Sequence, residues 1–357
     1  MVCTNIQERL EARASRYRSH TMKWFGKKDY TESLPADRQW TGAILVGLLL
    51  LALVLSGVSW YWSQEPEIFW VQQEFEGKPV PRGFATVDTL IRVTETLLDK
   101  PGGYLSNDVT PPTIFLDNIP NWEFGVVVQV RDFARVLRND FSRSQSQSRE
   151  DTDLADAEPA FNFDHDSWIF PPTESKYRGG VESLYEYRER LVDGSGDAQF
   201  FARADNLREW LAVVEKRLGD LSQRLTASVG QRRVNIDLAG DPAAVSTGSE
   251  QLNIVVKTPW LEIDDVFYQS RGTAWALTHF MRAVEFDFRD ILKDKNAQVS
   301  LRQVIRELEA TQKTVMSPII LNGSGFGLFA NHSLVMASYL SRANAAIIDL
   351  RELLGQG

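Results

Sequence analysis

The first pattern along the chain is a run without a charged residue, Trp40 to Trp62 (WTGAILVGLLLLALVLSGVSWYW). At about 1.5 Å per residue, a helix from Trp40 to Trp60 covers about 30 Å, the depth of a bilayer's hydrocarbon core. The run predicts one transmembrane helix over 41–62. Trp40 falls at one interface and Trp60, Tyr61 and Trp62 at the other, the depth at which part-apolar, part-polar rings settle.

Beyond the run, apolar positions recur at helical spacing. Residues 63–83 mix proline, glycine and charge and read as a linker. Phe84, Val87, Ile91, Thr94 and Leu98 then step by three and four, and Lys100-Pro101-Gly102-Gly103 stops that helix. A second helix follows from Val126, Val130, Phe133 and Leu137 to about Phe141, and a third covers about Glu174 to Val192. Between these two, residues 142–160 hold no aromatic and carry Glu150, Asp151, Asp153, Asp156 and Glu158. A stretch so polar is expected as a mobile loop, and its acids lack the glycine turn and spacing of an EF-hand calcium loop. The aromatic-dense Phe161–Pro172 is expected to pack across the bundle.

The most regular stripe is Phe200, Ala204, Leu207, Leu211, Val214, Leu218, Leu221 and Leu225. Its alternating steps of four and three predict a helix of about 30 residues in a bundle or coiled coil. The seam can be satisfied within one chain or between two, so a homo-oligomer is compatible with it. Val234, Ile236 and Leu238 alternate, as do Leu252, Ile254 and Val256, which predicts a small two-stranded ribbon. Three further seams follow: Phe267 to Ile291, apolar on more than one side and so central, Leu301 to Val315, and Met336 to Leu354. The expected fold is mainly α: a single N-terminal transmembrane helix, then an antiparallel helical bundle with a small β-ribbon.

Charge sets the expected orientation. Eight basic residues precede the run and only Lys78 and Arg82 lie in the twenty residues after it, so residues 1–40 are expected in the cytoplasm and 84–357 on the far side. A cleaved signal peptide fits less well, because the apolar core is long and no Ala-x-Ala site follows, Gly57-Val58-Ser59 being the nearest candidate. The net charge is −9. The first forty residues hold eight basic and five acidic side chains, net +3, so the remainder carries −12. Such an acidic exterior argues against nucleic acid, whose binding requires neutralised phosphates. The basic segment reads as a topology signal that could also rest on anionic lipid. With Cys3 as the one cysteine, the exported part has no disulfide or thiolate ligand.

The blocks KTPWLEIDDVFYQSRGTAWALTHFMRAVEFDF and MSPIILNGSGFGLFANHSLVMASYLSRANAAIIDLRELL, with GGYLSND and the N-terminal run, resemble the bacterial domain of unknown function numbered 2333. The resemblance implies a Gram-negative inner-membrane protein with a periplasmic domain. It carries no activity and no catalytic residue.

Candidate chemistry is sparse. Asp164-His165-Asp166 groups three ligand types, but neighbours in sequence point different ways, and a surface turn is the better reading. His279 stands off its helix stripe and His332 follows a glycine loop, where Asn331 could cap the last helix. The loop Gly323, Ser324, Gly325, Phe326, Gly327, Leu328 and Phe329 fits neither G-x-G-x-x-G nor a P-loop. It is expected as a flexible connection that offers its apolar residues to a partner or to the membrane. Glu262, Asp264 and Asp265 could do acid–base work on a glycan, but no motif singles them out. The expected function is therefore a non-enzymatic envelope scaffold without cofactor or metal, in contact with the lipid bilayer and an envelope protein. A ligand sensor with a separate signalling partner and a peptidoglycan enzyme are the alternatives.

Overall fold

The computed structural model describes residues 36–70, 80–143, 149–194, 198–234, 253–317, 319–324 and 327–356. Among them the chain is mainly helical, with ten α-helices and one two-stranded ribbon. Two compact units divide between Val54 and Leu55. The dividing point lies within α1 (Ala36–Trp62), whose stretch Trp40–Trp62 is long and apolar enough to cross a membrane, with no buried residue in its most apolar eighteen-residue window.

In the second unit, α2 (Phe84–Asp99), α3 (Asn118–Val136), α5 (Thr173–Asp193), α6 (Ala204–Thr226), α7 (Ile263–Asp287), α9 (Gln298–Ala310) and α10 (His332–Gly355) form where the apolar spacing predicts helices. The helix α6 is shorter than its stripe, because Phe200 packs on Phe141 and Phe288 from the preceding loop. A short α8 (Arg289–Asp294) continues from α7. Strand β1 (Gln231–Val234) pairs antiparallel with β2 (Asn253–Val256), Val234 opposite Asn253. The remaining ribbon positions, Ile236, Leu238 and Leu252, lie outside the described residues.

The acidic run does not form a loop over its described length: α4 (Thr152–Phe161) is a helix. Asp151 caps it, accepting N–H bonds from Asp153 and Leu154. Leu154, Ala157 and Phe161 are buried, and the acids meet cations: Arg138 binds Glu150 and Glu158, and Arg190 binds Asp151 and Asp153. The pattern reading failed because those arginines come from other helices. Phe161–Pro172 is also only half packed: Phe161 is buried and Phe163 partly so, whereas Trp168, Ile169 and Phe170 are exposed.

The core centres on α7, buried at every position from 271 to 284. It runs in the same direction as α3: Asn121 meets Asp265, Phe133 stacks on Phe280 at 4.3 Å, and Phe141 meets Phe288. The expected antiparallel order therefore does not extend to this pair. Two glycines make the close crossing: a Cβ on Gly125 would stand 2.2 Å from the Gln269 carbonyl oxygen, and one on Gly272 1.9 Å from that of Trp122. Opposite directions do occur elsewhere. Early α2 meets the end of α7 through Thr86 and Asp287, and α6 meets α10 through Ser222 with Ser341 and Glu215 with Arg351.

The helix directions define two ends of this unit. At the proximal end the chain arrives from Trp62, whose ring lies 2.7 Å from where a Gly102 Cβ would be. The same end gathers the start of α3, α5 and α7, joined by Arg178 with Asp99 and Asn121 with Asp265, and the start of α10 through Phe267 and His332. The distal end carries the end of α5 and the start of α9, the latter fixed by Arg302 on Glu285.

Candidate functional site

Residues 63–70 have no regular secondary structure, as expected of a linker, but they form a strap laid along α7. Glu65 pairs with Arg271, whose guanidinium also donates to the carbonyls of Thr311 and Lys313 at 3.0 and 2.8 Å. Trp275 donates its ring N–H to the Glu67 carbonyl. Phe69 then stacks on the His279 ring at 3.8 Å and donates its backbone N–H to Nε2 at 3.1 Å. Its carbonyl accepts from Arg282, which also binds Glu309, and Arg92 stands over its ring. Because Nε2 accepts, the His279 proton sits on Nδ1, facing the Trp275 carbonyl at 2.8 Å. Burial, and then Arg282 and Arg92, hold the imidazole down at about 3, so it stays neutral.

A second buried pair lies where α2 gives way to the next loop. Lys100 and Glu123 have no exposed side-chain surface. Glu123 also accepts the N–H groups of Leu105 and Ser106 at 2.9 and 2.7 Å, so the pair fastens the loop to α3.

The glycine loop is anchored at its base. Gly323 donates its N–H to the Ala330 carbonyl at 3.0 Å, and a Cβ on Gly323 would stand 2.1 Å from the Phe329 oxygen. Asn331 does cap α10: its Oδ1 accepts the Leu334 N–H, while its Nδ2 donates to Asn322 Oδ1 and the Gly323 carbonyl. Gly325 and Phe326 lie outside the described residues. Leu328 is fully exposed, and Phe329 is 72% exposed. Beside the start of α10 opens a pocket of about 210 Å³, lined by Phe267, Val315, Met316, His332, Met336 and Tyr339 among others. Met316 and Val335 on its wall are exposed. His332 accepts the Leu321 N–H on Nδ1, and burial lowers its pKa.

The other candidates stay apart from this pocket. His165 lies on the Phe124 ring at 4.8 Å, and its carbonyl accepts the Tyr104 hydroxyl. Asp264 and Asp265 stand in the first turn of α7, Asp265 accepting from Asn121. Burial, then Asp264, Asp117 and Glu262, push the Asp265 carboxyl up to about 6. Among the described residues no group of three or more His, Cys, Asp or Glu could hold a metal ion. Trp40, Trp60 and Tyr61 are exposed, whereas Trp62 is partly buried against the second unit's core.

The model of the bacterial family DUF2333, described as an uncharacterized protein conserved in bacteria, matches residues 35–357. The chain belongs to this family. No curated protein and no solved structure gives a significant match. The DUF2333 match includes the apolar run, the strap and every helix described above.

The strap and the Lys100–Glu123 pair escaped the pattern reading. The one signal for the strap was the aromatic pair Phe69-Trp70 inside a supposed linker. Its partner Arg271 sits about two hundred residues away, at no spacing that marks it.

Proposed function

We propose that this DUF2333 chain is a single-pass protein of the inner membrane. Its N-terminus is cytoplasmic, and its helical bundle is periplasmic and acts as a non-enzymatic scaffold that docks an envelope protein. The distribution of basic residues around the apolar helix supports the orientation. The observation that carries the docking role is the exposed apolar surface around the start of α10: a pocket with exposed Met316 and Val335 on its wall, and the exposed Leu328 and Phe329 of the glycine loop that leads into the helix from a hydrogen-bonded base. Exposed apolar residues around a concavity are the usual anchor points of a protein interface. The buried ionisable groups are engaged in structure: Glu123 holds a loop, Arg271 and His279 hold the strap, and Asp287 holds Thr86. The pocket lies at the end where the chain arrives from the span, so its partner is an envelope protein reaching the membrane surface.

The test is in-cell crosslinking of the tagged full chain followed by mass spectrometry, with a Leu328→Ser, Phe329→Ser double variant alongside. Both residues are exposed, so the variant keeps its fold. An envelope protein captured by the parent chain and lost from the variant is the expected result; identical crosslinks from the two would overturn the docking role.

A further inference from the structure

The exposed apolar side chains of the second unit are unevenly placed. Val109, Ile114 and Phe115 project from residues 100–117, Trp168, Ile169 and Phe170 from 162–172, and Trp260 and Leu261 from the turn before α7. Phe115 is 77% exposed and Phe170 is 89% exposed. The first two loops share one base, where Tyr104 donates to the His165 carbonyl at 2.7 Å and Asn107 to the Ser167 carbonyl at 2.9 Å. The third joins them through Asn121 at the start of α3 and Asp265 at the start of α7. All three belong to the proximal end. Aromatic residues at loop tips lose favourable free energy in water unless something apolar covers them.

The chain itself points to the cover. Trp60 and Tyr61 are exposed and end a helix long enough to span a bilayer. Trp62 already packs against Gly102, and Glu65, three residues on, is paired with Arg271. Three residues reach at most about 11 Å. The proximal loops therefore cannot stand far from the depth at which Trp60 sits. Resting on the reading of 40–62 as a membrane span, we propose that the tips Ile114–Phe115, Trp168–Phe170 and Trp260–Leu261 are a lipid-docking rim inserted into the bilayer interface. Asp108, Asp117, Asp164 and Asp166 stand in the same loops, so insertion is driven by aromatic and apolar burial rather than by attraction to anionic headgroups. Zwitterionic lipid suffices.

The experiment uses the full chain in nanodiscs of dioleoylphosphatidylcholine. Cys3→Ser removes the one native cysteine. Single replacements Phe115→Cys and Phe170→Cys report on the rim, Val192→Cys and Val299→Cys on exposed distal positions, and Leu50→Cys on the span. Each carries an environment-sensitive fluorophore; positions 115, 170, 192 and 299 are read against lipids brominated near the headgroup end of the acyl chain, and position 50, which lies mid-span, against lipids brominated near its methyl end. Emission at 115 and 170 is expected to fall about twofold or more, as interfacial residues should, with 192 and 299 unchanged. Quenching at 50 but not at 115 and 170 overturns the rim and leaves the span intact. Absence of quenching at 50 overturns the span and the rim with it. Shielded but unquenched emission at 115 and 170 means that protein covers the tips, and it also overturns the rim.

Discussion

At position 279 a histidine stands off the heptad stripe of its helix, and the stripe names no neighbour for it. The strap makes it dry. Its neutral ring accepts the Phe69 N–H, and burial holds its pKa at about 3, against an ordinary value near 6.5. The sign follows. As pH falls below 6.5 the unfolded chain takes up a proton that the native ring refuses, so stability present above 6.5 is lost toward pH 3. Asp287 acts oppositely: burial raises its carboxyl to about 6, so the native state takes up a proton before the unfolded one. Comparison with His279→Gln separates them, because glutamine keeps an acceptor for Phe69 and does not titrate. Between pH 7 and pH 5 the variant should gain about 2 kcal/mol relative to the parent in urea unfolding. A difference that stays constant with pH would show that the ring titrates alike in the folded and the unfolded chain, and so is not held neutral beneath the strap.

Between elements, the α3–α7 crossing shows what a hydrophobic stripe cannot state. Both helices are marked by their seams, yet the seams do not say that the two run in the same direction or how closely they cross. Gly125 and Gly272 decide that, because each backbone carbonyl fills the space a side chain would need. Gly272→Ala should cost at least about 2 kcal/mol, since two packed helices must separate. Gly179, also inside a helix, has nothing within 4 Å of its Cβ position, so Gly179→Ala should stabilise by roughly 0.5–1 kcal/mol through helix propensity. Thermal or urea midpoints of the two variants should move in opposite directions; equal shifts would remove the close crossing from the account. The acidic helix α4 teaches the same lesson: Asp151 caps it and Leu154, Ala157 and Phe161 are buried, but the cations that meet its acids, Arg138 and Arg190, stand on other elements.

Across the whole second unit, the strap converts a supposed tether into a fastening. Arg271 is 8% exposed at its side chain, and removing one partner of such a pair leaves a poorly compensated buried charge, at a cost of about 3–5 kcal/mol. The carbonyls of Thr311 and Lys313 still hold the guanidinium, so Glu65→Ala should fall at the low end of that range. Proteolysis of the full chain in nanodiscs should then cut between Ser63 and Gly83 faster than in the parent. Equal rates would mean that the ion pair does not hold the strap down.

The chain's sequence alone determined the elements: the apolar helix, most of the other helices, the ribbon and the family. All of these depend on periodicity within short windows, or on a run of apolar residues that needs no partner to be recognised. It also marked Asn331 as a cap, because a glycine-rich stop before a helix is a local signal. Tertiary structure alone decided that Glu65 meets Arg271, that Lys100 meets Glu123, and that the acidic run is a helix. It also brought three aromatic loop tips to the end where the chain arrives from Trp62. Each of these joins residues far apart along the chain, and a charge or an aromatic ring carries no mark in sequence of the partner it will find when the helices close on one another.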